Sequence, residues 1–269
     1  MMRIVVACVL SGLLVIAPRA VAAEPSSVFL EDLTSTEVRD QIRDGTTTIL
    51  VPIGGTEQNG PDMVLGKHNV RAKLLAEKIA SQLGHTIVAP VIAYVPEGNI
   101  TPPVAHMRFA GTISISDATF EQMLESAAKS FAQHGFRDIV FLGDHGGYQA
   151  DVKLVADRLN RQWAAGPVRA HAIGEYYRAA TTDFPAILKA RGYSEAEIGT
   201  HAGLADTSLA LAVDAHLVHL HEMQSGPKRG PEEGVYGDPR RSSAELGQLG
   251  VDVIVSRSVE AIRAAIAHR

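Results

Sequence analysis

Carboxylates and imidazoles, the side chains that hold divalent metals and move protons, gather at three places in this sequence. GGTEQNGPDMVLGKHN (54–69) carries Glu57, Asp62 and His68. GDHGGYQ (143–149) carries Asp144 and His145, and HAGLADTS (201–208) carries His201 and Asp206. Brought to one place, such groups suit a divalent ion such as zinc or manganese. Each signal is weak alone, since a loop histidine is more often solvated or hydrogen-bonded than a ligand. The small neighbours of His145 leave room for a ligand.

The elements that must position these residues are readable from periodicity. Thr46–Ile53 is a β-branched apolar run ending at paired glycines, a buried strand. Thr86–Ile92, Asp138–Leu142 and Val168–Ile173 read as further strands. Val70, Leu74, Leu75, Ile79 and Leu83 recur at helical spacing before Gly84. Ser116 or Asp117 caps a helix carrying Phe120, Leu124 and Phe131, closed by Gly135. Val152, Val155, Leu159 and Trp163 mark a helix, Thr207–Ala212 continues another, and Val251 to Ile266 marks a C-terminal one. Alternation of strands and helices predicts a three-layer α/β domain, a mostly parallel sheet with helices on both faces. Sites in such sheets lie at the carboxyl ends of strands, where the first two clusters fall.

Composition narrows the function. The chain has 269 residues, 46% hydrophobic and 20% charged, enough for a packed core. A net charge of −5 and the lack of long basic runs argue against nucleic-acid binding. A single cysteine excludes a disulfide framework within the chain and a cysteine zinc site. The Gly-rich turn at 143–147 lacks dinucleotide and P-loop spacing. Arg3, the apolar run Ile4–Ala17, Pro18 and Ala20-Val21-Ala22-Ala23 read as a signal peptide cleaved after Ala23. Residues 24–269 are then a single periplasmic or secreted domain, free of the membrane after cleavage.

The three clusters, with two further segments, resemble the creatininase family of amidohydrolases. VPIGGTEQNGPDMVLGKHN is similar to the family's strand followed by Glu-x-His-Gly and a later Asp. HMRFAGTISIS (106–116) resembles its His…Phe-x-Gly-Thr segment, FRDIVFLGDHGGYQ (136–149) its strand and His-Gly-Gly, HAGLADTSLAL (201–211) its His-Ala-Gly-x-x-Glu-Thr-Ser, and GVYGDPRRSSAELG (234–247) its Gly-Val-x-Gly-Asp-Pro. The resemblance implies a metal-dependent hydrolase that cleaves a C–N bond in a small cyclic or linear amide, or the ester bond of a lactone, and a homo-oligomer. It also implies ligand places, and here the chain departs from the pattern. Glu57 and His145 match, but Asn59 stands for a His, His68 for the bridging Asp, Asp206 for a Glu, and Tyr148 for an Asn. An amide is a poor zinc ligand, and a neutral imidazole offers one lone pair and cannot bridge two ions. The expected set is therefore Glu57, His68, His145 and Asp206 around one ion, zinc or manganese, with Asp62 and Asp144 as spare carboxylates.

His201 matches the family histidine that moves protons, with Asp62 as a second candidate for that role. A turn histidine satisfied by backbone groups is the other reading of His201. His106 either lines the pocket or holds its loop. Creatininases proper use tryptophans in a substrate flap. The only tryptophan here, Trp163, lies on a helix stripe, which argues against creatinine itself. Glu175–Thr200, with Tyr176, Tyr177, Phe184 and Tyr193, is the expected cover over the site. The alternative function is a non-catalytic creatininase-like protein that binds a small molecule or partner. Intact-mass analysis of exported protein should place the mature N-terminus at or near Glu24; a soluble, active form retaining residues 1–23 would overturn the signal-peptide reading.

Overall fold

Four short runs rich in Ile, Leu, Val and Ala pair side by side as parallel strands. In this computed structural model, which describes residues 27–268, they are β1 (Thr48–Ile53), β2 (Thr86–Val88), β3 (Asp138–Gly143) and β4 (Arg169–Ala172). The expected signal peptide lies outside the described residues. The spatial order is β2-β1-β3-β4. β2 is shorter than its apolar run because Pro90 has no N–H for a ladder. The chain rejoins the sheet as a lone bridge between Ile92 and Ile53.

Ten α-helices accompany the strands among the described residues. They are α1 (Ser35–Arg43), α2 (Lys67–Leu83), α3 (Asp117–His134), α4 (Gln149–Gln162), α5 (Gly174–Arg178), α6 (Phe184–Ala190), α7 (Glu195–Ile198), α8 (Leu204–Val213), α9 (Leu220–Ser225) and α10 (Ala244–Ala267). Ser116 caps α3 by accepting from the Thr119 N–H, and left-handed Gly135 ends it. Side chains of the strands alternate between two cores. Leu50, Val140 and Leu142 pack with α2, α8 and α10 on one face. Ile49, Val51, Ile53, Ile139 and Phe141 pack with α3 and α4 on the other. The expected three-layer arrangement results.

This strand order places the site. From β1 the chain passes through α2 to β2 on one side, then returns through α3 to β3 on the other. β1 and β3 therefore flank the point where winding reverses, and a crevice opens beyond their carboxyl ends. Their ends are level, with Ile53 opposite Gly143. Tyr148, fully buried, locks the two exits together. Its hydroxyl accepts from the Asp144 and His145 N–H groups at 3.1 and 2.9 Å, and donates toward the Ile53 and Gly54 carbonyls at 2.8 and 2.7 Å.

Three segments fold otherwise than their residue patterns alone suggest. His216, His219 and His221 alternate with apolar residues as a late strand would. The chain instead forms a 3₁₀ turn (Ala215–Leu217) and then α9. Asp214 starts the turn by accepting from the His216 N–H, and Leu217, Val218 and Met223 fold onto Met63 in a small core. The Gly- and Pro-rich stretch after Glu222 is not all surface, since Val235 is buried in that core. The aromatics expected in a cover divide: Tyr176 and Phe184 join the main core, while Tyr177 faces the crevice.

Tyr148→Phe leaves the buried His145 N–H and Gly54 carbonyl without this partner, while the Asp144 N–H and Ile53 carbonyl keep each other at 3.0 Å. It should cost about 1–3 kcal/mol of stability, read by urea or thermal denaturation, and should loosen the turn that carries His145.

Candidate metal centre

Beyond the ends of β1 and β3, four side chains converge. Glu57 leaves the loop after β1, His145 the turn after β3, Glu97 the segment after β2, and His106 a 3₁₀ turn (Ala105–Arg108). Each offers one ligand atom, and these atoms lie within 4.8 Å of one another. Glu57 Oε2 is 3.2 Å from His106 Nε2 and 3.4 Å from His145 Nε2. Glu97 Oε2 is 3.5 Å from His145 Nδ1. Gly55 lets Glu97 approach, because a Cβ at that position, φ +152°, would strike Glu97 Oε1. Glu57 Oε2 and both Glu97 oxygens are buried without a hydrogen-bond donor. Carboxylate oxygens so placed are costly unless a proton or cation compensates them.

The protonation states agree with a ligand role. Burial pushes the His145 imidazole down to about 3, despite the Glu57 charge. His106 is lowered as well, again chiefly by burial. Both rings are neutral at neutral pH, the form that binds metals. Burial and the neighbouring Glu57 charge raise Glu97 to about 9. Burial alone would raise Glu57 too, but the charges of His68 and Lys67 outweigh it and hold Glu57 well below the usual carboxylate range. Two carboxylates and two imidazoles fit one divalent ion with room for further ligands.

A second set of charges lies against the first. His68 Nε2 meets Glu57 Oε1 at 2.7 Å, and His68 Nδ1 bonds Asp144 Oδ2. Arg71 Nε donates to Asp144 Oδ2 at 2.8 Å and Arg71 Nη1 to Asp206 Oδ1 at 2.7 Å. Lys67 Nζ hydrogen-bonds Asp206 Oδ2 and lies 3.7 Å from Glu57 Oε1. Tyr176 donates to Asp144 Oδ1 at 2.7 Å. Apart from the Asp206 side chain, 15% exposed, these side chains are at most 5% exposed.

The expected ligand set is therefore not brought together as one group. Glu57 and His145 belong to the four-residue centre. His68 has both ring nitrogens engaged by carboxylates, and Asp206 has both oxygens engaged by Lys67, Arg71 and the Ala202 N–H. Asp144 lies in the same charged network. Asn59 turns its amide onto the Glu57 and Val64 carbonyls. Asp62 faces Arg229 at 3.3 Å and lines a separate small cleft with Met63 and Met223. His201 stands at the edge of the centre, Nδ1 3.7 Å from Glu57 Oε1, with Nε2 2.9 Å from the Gln58 carbonyl. Burial lowers it to about 4.

Sequence reasoning missed Glu97 as a candidate ligand and Lys67 and Arg71 altogether, and left His106 as a pocket or loop residue. Glu97 belongs to no motif, and only the fold carries the end of β2 to this crevice. A signal for the basic pair did exist. Lys67 and Arg71 are four residues apart in the first turns of α2, whose first turn has no acid. Positive charge there opposes the helix dipole and calls for carboxylate partners.

Two cavities reach the centre. One, of about 320 Å³, is lined by Lys67, His68, Tyr177, His201 and Asp206. The other, of about 690 Å³, is lined by Glu97, Asn99, Ser114 and Ser116. His106 and His145 line both. A π-helical turn (Ala179–Asp183) puts Ala180 and Thr181 on the first wall. Trp163 packs far off, against the α3–α4 core.

Glu97 makes metal binding proton-linked. It carries a proton at neutral pH in the metal-free protein and must shed it to ligate, so the free form holds more protons than the bound form. Metal affinity should therefore rise with pH up to about 9, with proton release measured by calorimetry in buffers of different ionisation enthalpy. Glu97→Gln should lower affinity at least about tenfold and remove that proton release.

Comparison with known proteins shows the family and the fold. A family model described as creatinine amidohydrolase matches residues 31–262. The creatinine amidohydrolase of Pseudomonas putida is 25% identical over 259 residues, 88% of this chain and 96% of that protein. The mycofactocin precursor peptide peptidase of Mycobacterium tuberculosis is 28% identical over 222 residues, 77% of this chain and 81% of that one. A solved structure described as "Creatininase Mn" superposes with a TM-score of 0.73 at 24% identity, covering 90% of this chain and 99% of its own. The ordered motifs, the fold and the matched span together show that the chain belongs to the creatininase family.

Proposed function

We propose that this creatininase-family hydrolase is an exported, metal-dependent enzyme that cleaves a C–N bond in a small amide, with one divalent ion, manganese or zinc, held by Glu57, Glu97, His106 and His145. The observation that carries this reading is the convergence of those four side chains, with three buried carboxylate oxygens lacking any donor, at the switch point of the sheet. The manganese described for a structural neighbour and the amidohydrolase relative support it. A divalent ion in such a centre supplies Lewis acidity toward water and toward a carbonyl oxygen.

The chain's own groups do the rest. His201 donates from Nε2 to the Gln58 carbonyl, which leaves a lone pair on Nδ1 facing the centre. That nitrogen takes a proton as water attacks and passes it to the leaving nitrogen. Asp62, facing Arg229, is not placed for this step. Gln58 Nε2 lies 3.1 Å from His106 Nδ1, and the Gln58 carbonyl holds His201, so one residue touches both rings. Tyr177, Ala180 and Thr181 wall the substrate cavity.

Openings on two sides favour a linear amide with groups extending both ways over a small ring, and a peptide peptidase stands among the relatives. Lactone hydrolysis needs the same groups. Exposed Tyr94, Ile100 and Val104, of which Ile100 lines the second cavity, support a homo-oligomer. The segment before Glu24 supports a periplasmic or secreted location.

Metal analysis of protein purified without chelators, with turnover of a panel of linear amides, cyclic amides and lactones, tests the reading. Absence of metal together with absence of turnover would favour the non-catalytic alternative. His201→Ala should lower turnover by about 10²–10⁴-fold while metal content stays constant. Loss of metal instead would make His201 a ligand.

A further inference from the structure

Buried ligand-type side chains here fall into two groups that share a single carboxylate. The acceptors without donors, Glu57 Oε2 and both Glu97 oxygens, lie on one side with His106 and His145. On the other side every carboxylate oxygen already meets a group of the chain. Asp144 is held by His68, Arg71 and Tyr176, and Asp206 by Lys67, Arg71 and the Ala202 N–H. Glu57 Oε1 meets His68 and lies 3.7 Å from the Lys67 ammonium.

Lys67 is the centre of the second group. It is 1% exposed, and its Nζ lies between Asp206 on α8 and Glu57 on the loop after β1. A buried carboxylate pair contributed by two elements attracts a cation, and this chain provides one covalently. We propose that Lys67, backed by Arg71, is a resident cation that occupies the place a second divalent ion would take, restricting this centre to one ion and turning Glu57 so that only Oε2 serves it.

The inference rests on the metal centre proposed above but concerns a difference between variants, so the two can fail separately. A divalent ion and an ammonium cannot share this place, because both need the same oxygens and repel each other at short range. Arg71 alone does not replace Lys67, since its donors are spent on Asp144 and on the other oxygen of Asp206. Lys67 also lines the cavity shared with His201, so the charge stands at the substrate's edge of the centre. It is a positioning residue for Glu57, and its removal takes the ammonium from two carboxylates at once, leaving Glu57 Oε1 with His68 alone and Asp206 Oδ2 with the Ala202 N–H alone.

The test compares the wild-type protein with Lys67→Met by elemental analysis and by calorimetric titration with manganese and with zinc. The expected result is one ion per chain in the wild type and two in the variant. The variant's thermal midpoint should fall in chelator and recover on adding the metal alone. Lys67→Arg, which keeps a positive charge, should stay at one ion. Two ions in the wild type, or no extra ion in the variant, would overturn the inference. No ion in the wild type but one in the variant would uphold it while removing the centre at Glu97. Should Lys67→Met be insoluble with and without metal, Lys67→Gln, which keeps a hydrogen bond to Asp206 without charge, takes its place in the same comparison with the same outcomes.

Discussion

A carboxylate with no access to water has to be compensated by the protein, and Glu57 is compensated on one oxygen only. His68 and Lys67 face Oε1, while Oε2 points at two neutral imidazoles that do not donate to it. This asymmetry organises the centre. The cations behind Glu57 keep it ionised despite full burial, and its charge in turn helps keep Glu97 protonated. One charged oxygen and one raised acid, with two neutral histidines, form a ligand set whose net charge depends on pH. Any metal bound there competes with a proton, not with a salt bridge.

Precise placement of that oxygen depends on the ends of two parallel strands. β1 and β3 finish level, and Tyr148 ties the exit of one to the turn of the other through four backbone groups. A parallel sheet leaves such groups unpaired where the strands stop, and burial makes leaving them so costly. The Asp144 N–H and Ile53 carbonyl pair with each other, and one Tyr148 hydroxyl inside a hydrophobic layer joins them and serves the His145 N–H and the Gly54 carbonyl. The same residue therefore stabilises the α3–α4 core and aims His145. Metal chemistry and fold stability are coupled at this position.

His68, Asp206 and Asp144 meet in one charged network. His68 cannot bridge two ions, and beside it Lys67 brings a positive charge to Asp206 and Glu57 while Arg71 brings another to Asp144 and Asp206. Lys67 and Arg71 meet the demand of the buried Asp206 and Asp144 carboxylates for a cation. Removing either basic side chain would leave a buried carboxylate short of its partner, at a cost of several kcal/mol for an ion. Together they give a closed network.

Several features needed no tertiary information. Strand-length apolar runs, helical stripes, the Ser116 cap and the Gly84 and Gly135 stops are local, because backbone preference and burial periodicity act over a few residues. Their alternation defined the α/β layers, and the ordered motifs identified the family. Glu57 and His145 were legible because each follows directly from a strand end. What only the tertiary structure decided is partnership. Glu97 belongs to no motif, and His106 lies in a family-like segment that left its role open between pocket and loop; the sheet's winding reversal brings both to Glu57. His68 and Asp206 have ligand chemistry by type, but folding sets them within reach of Lys67, Arg71 and Asp144, and an oxygen engaged by a buried cation is no longer available to a metal. Residue type limits which bonds a side chain can make. Which of them it does make is set by the neighbours that folding delivers, and for Lys67 and Asp206 those neighbours lie 139 residues apart along the chain.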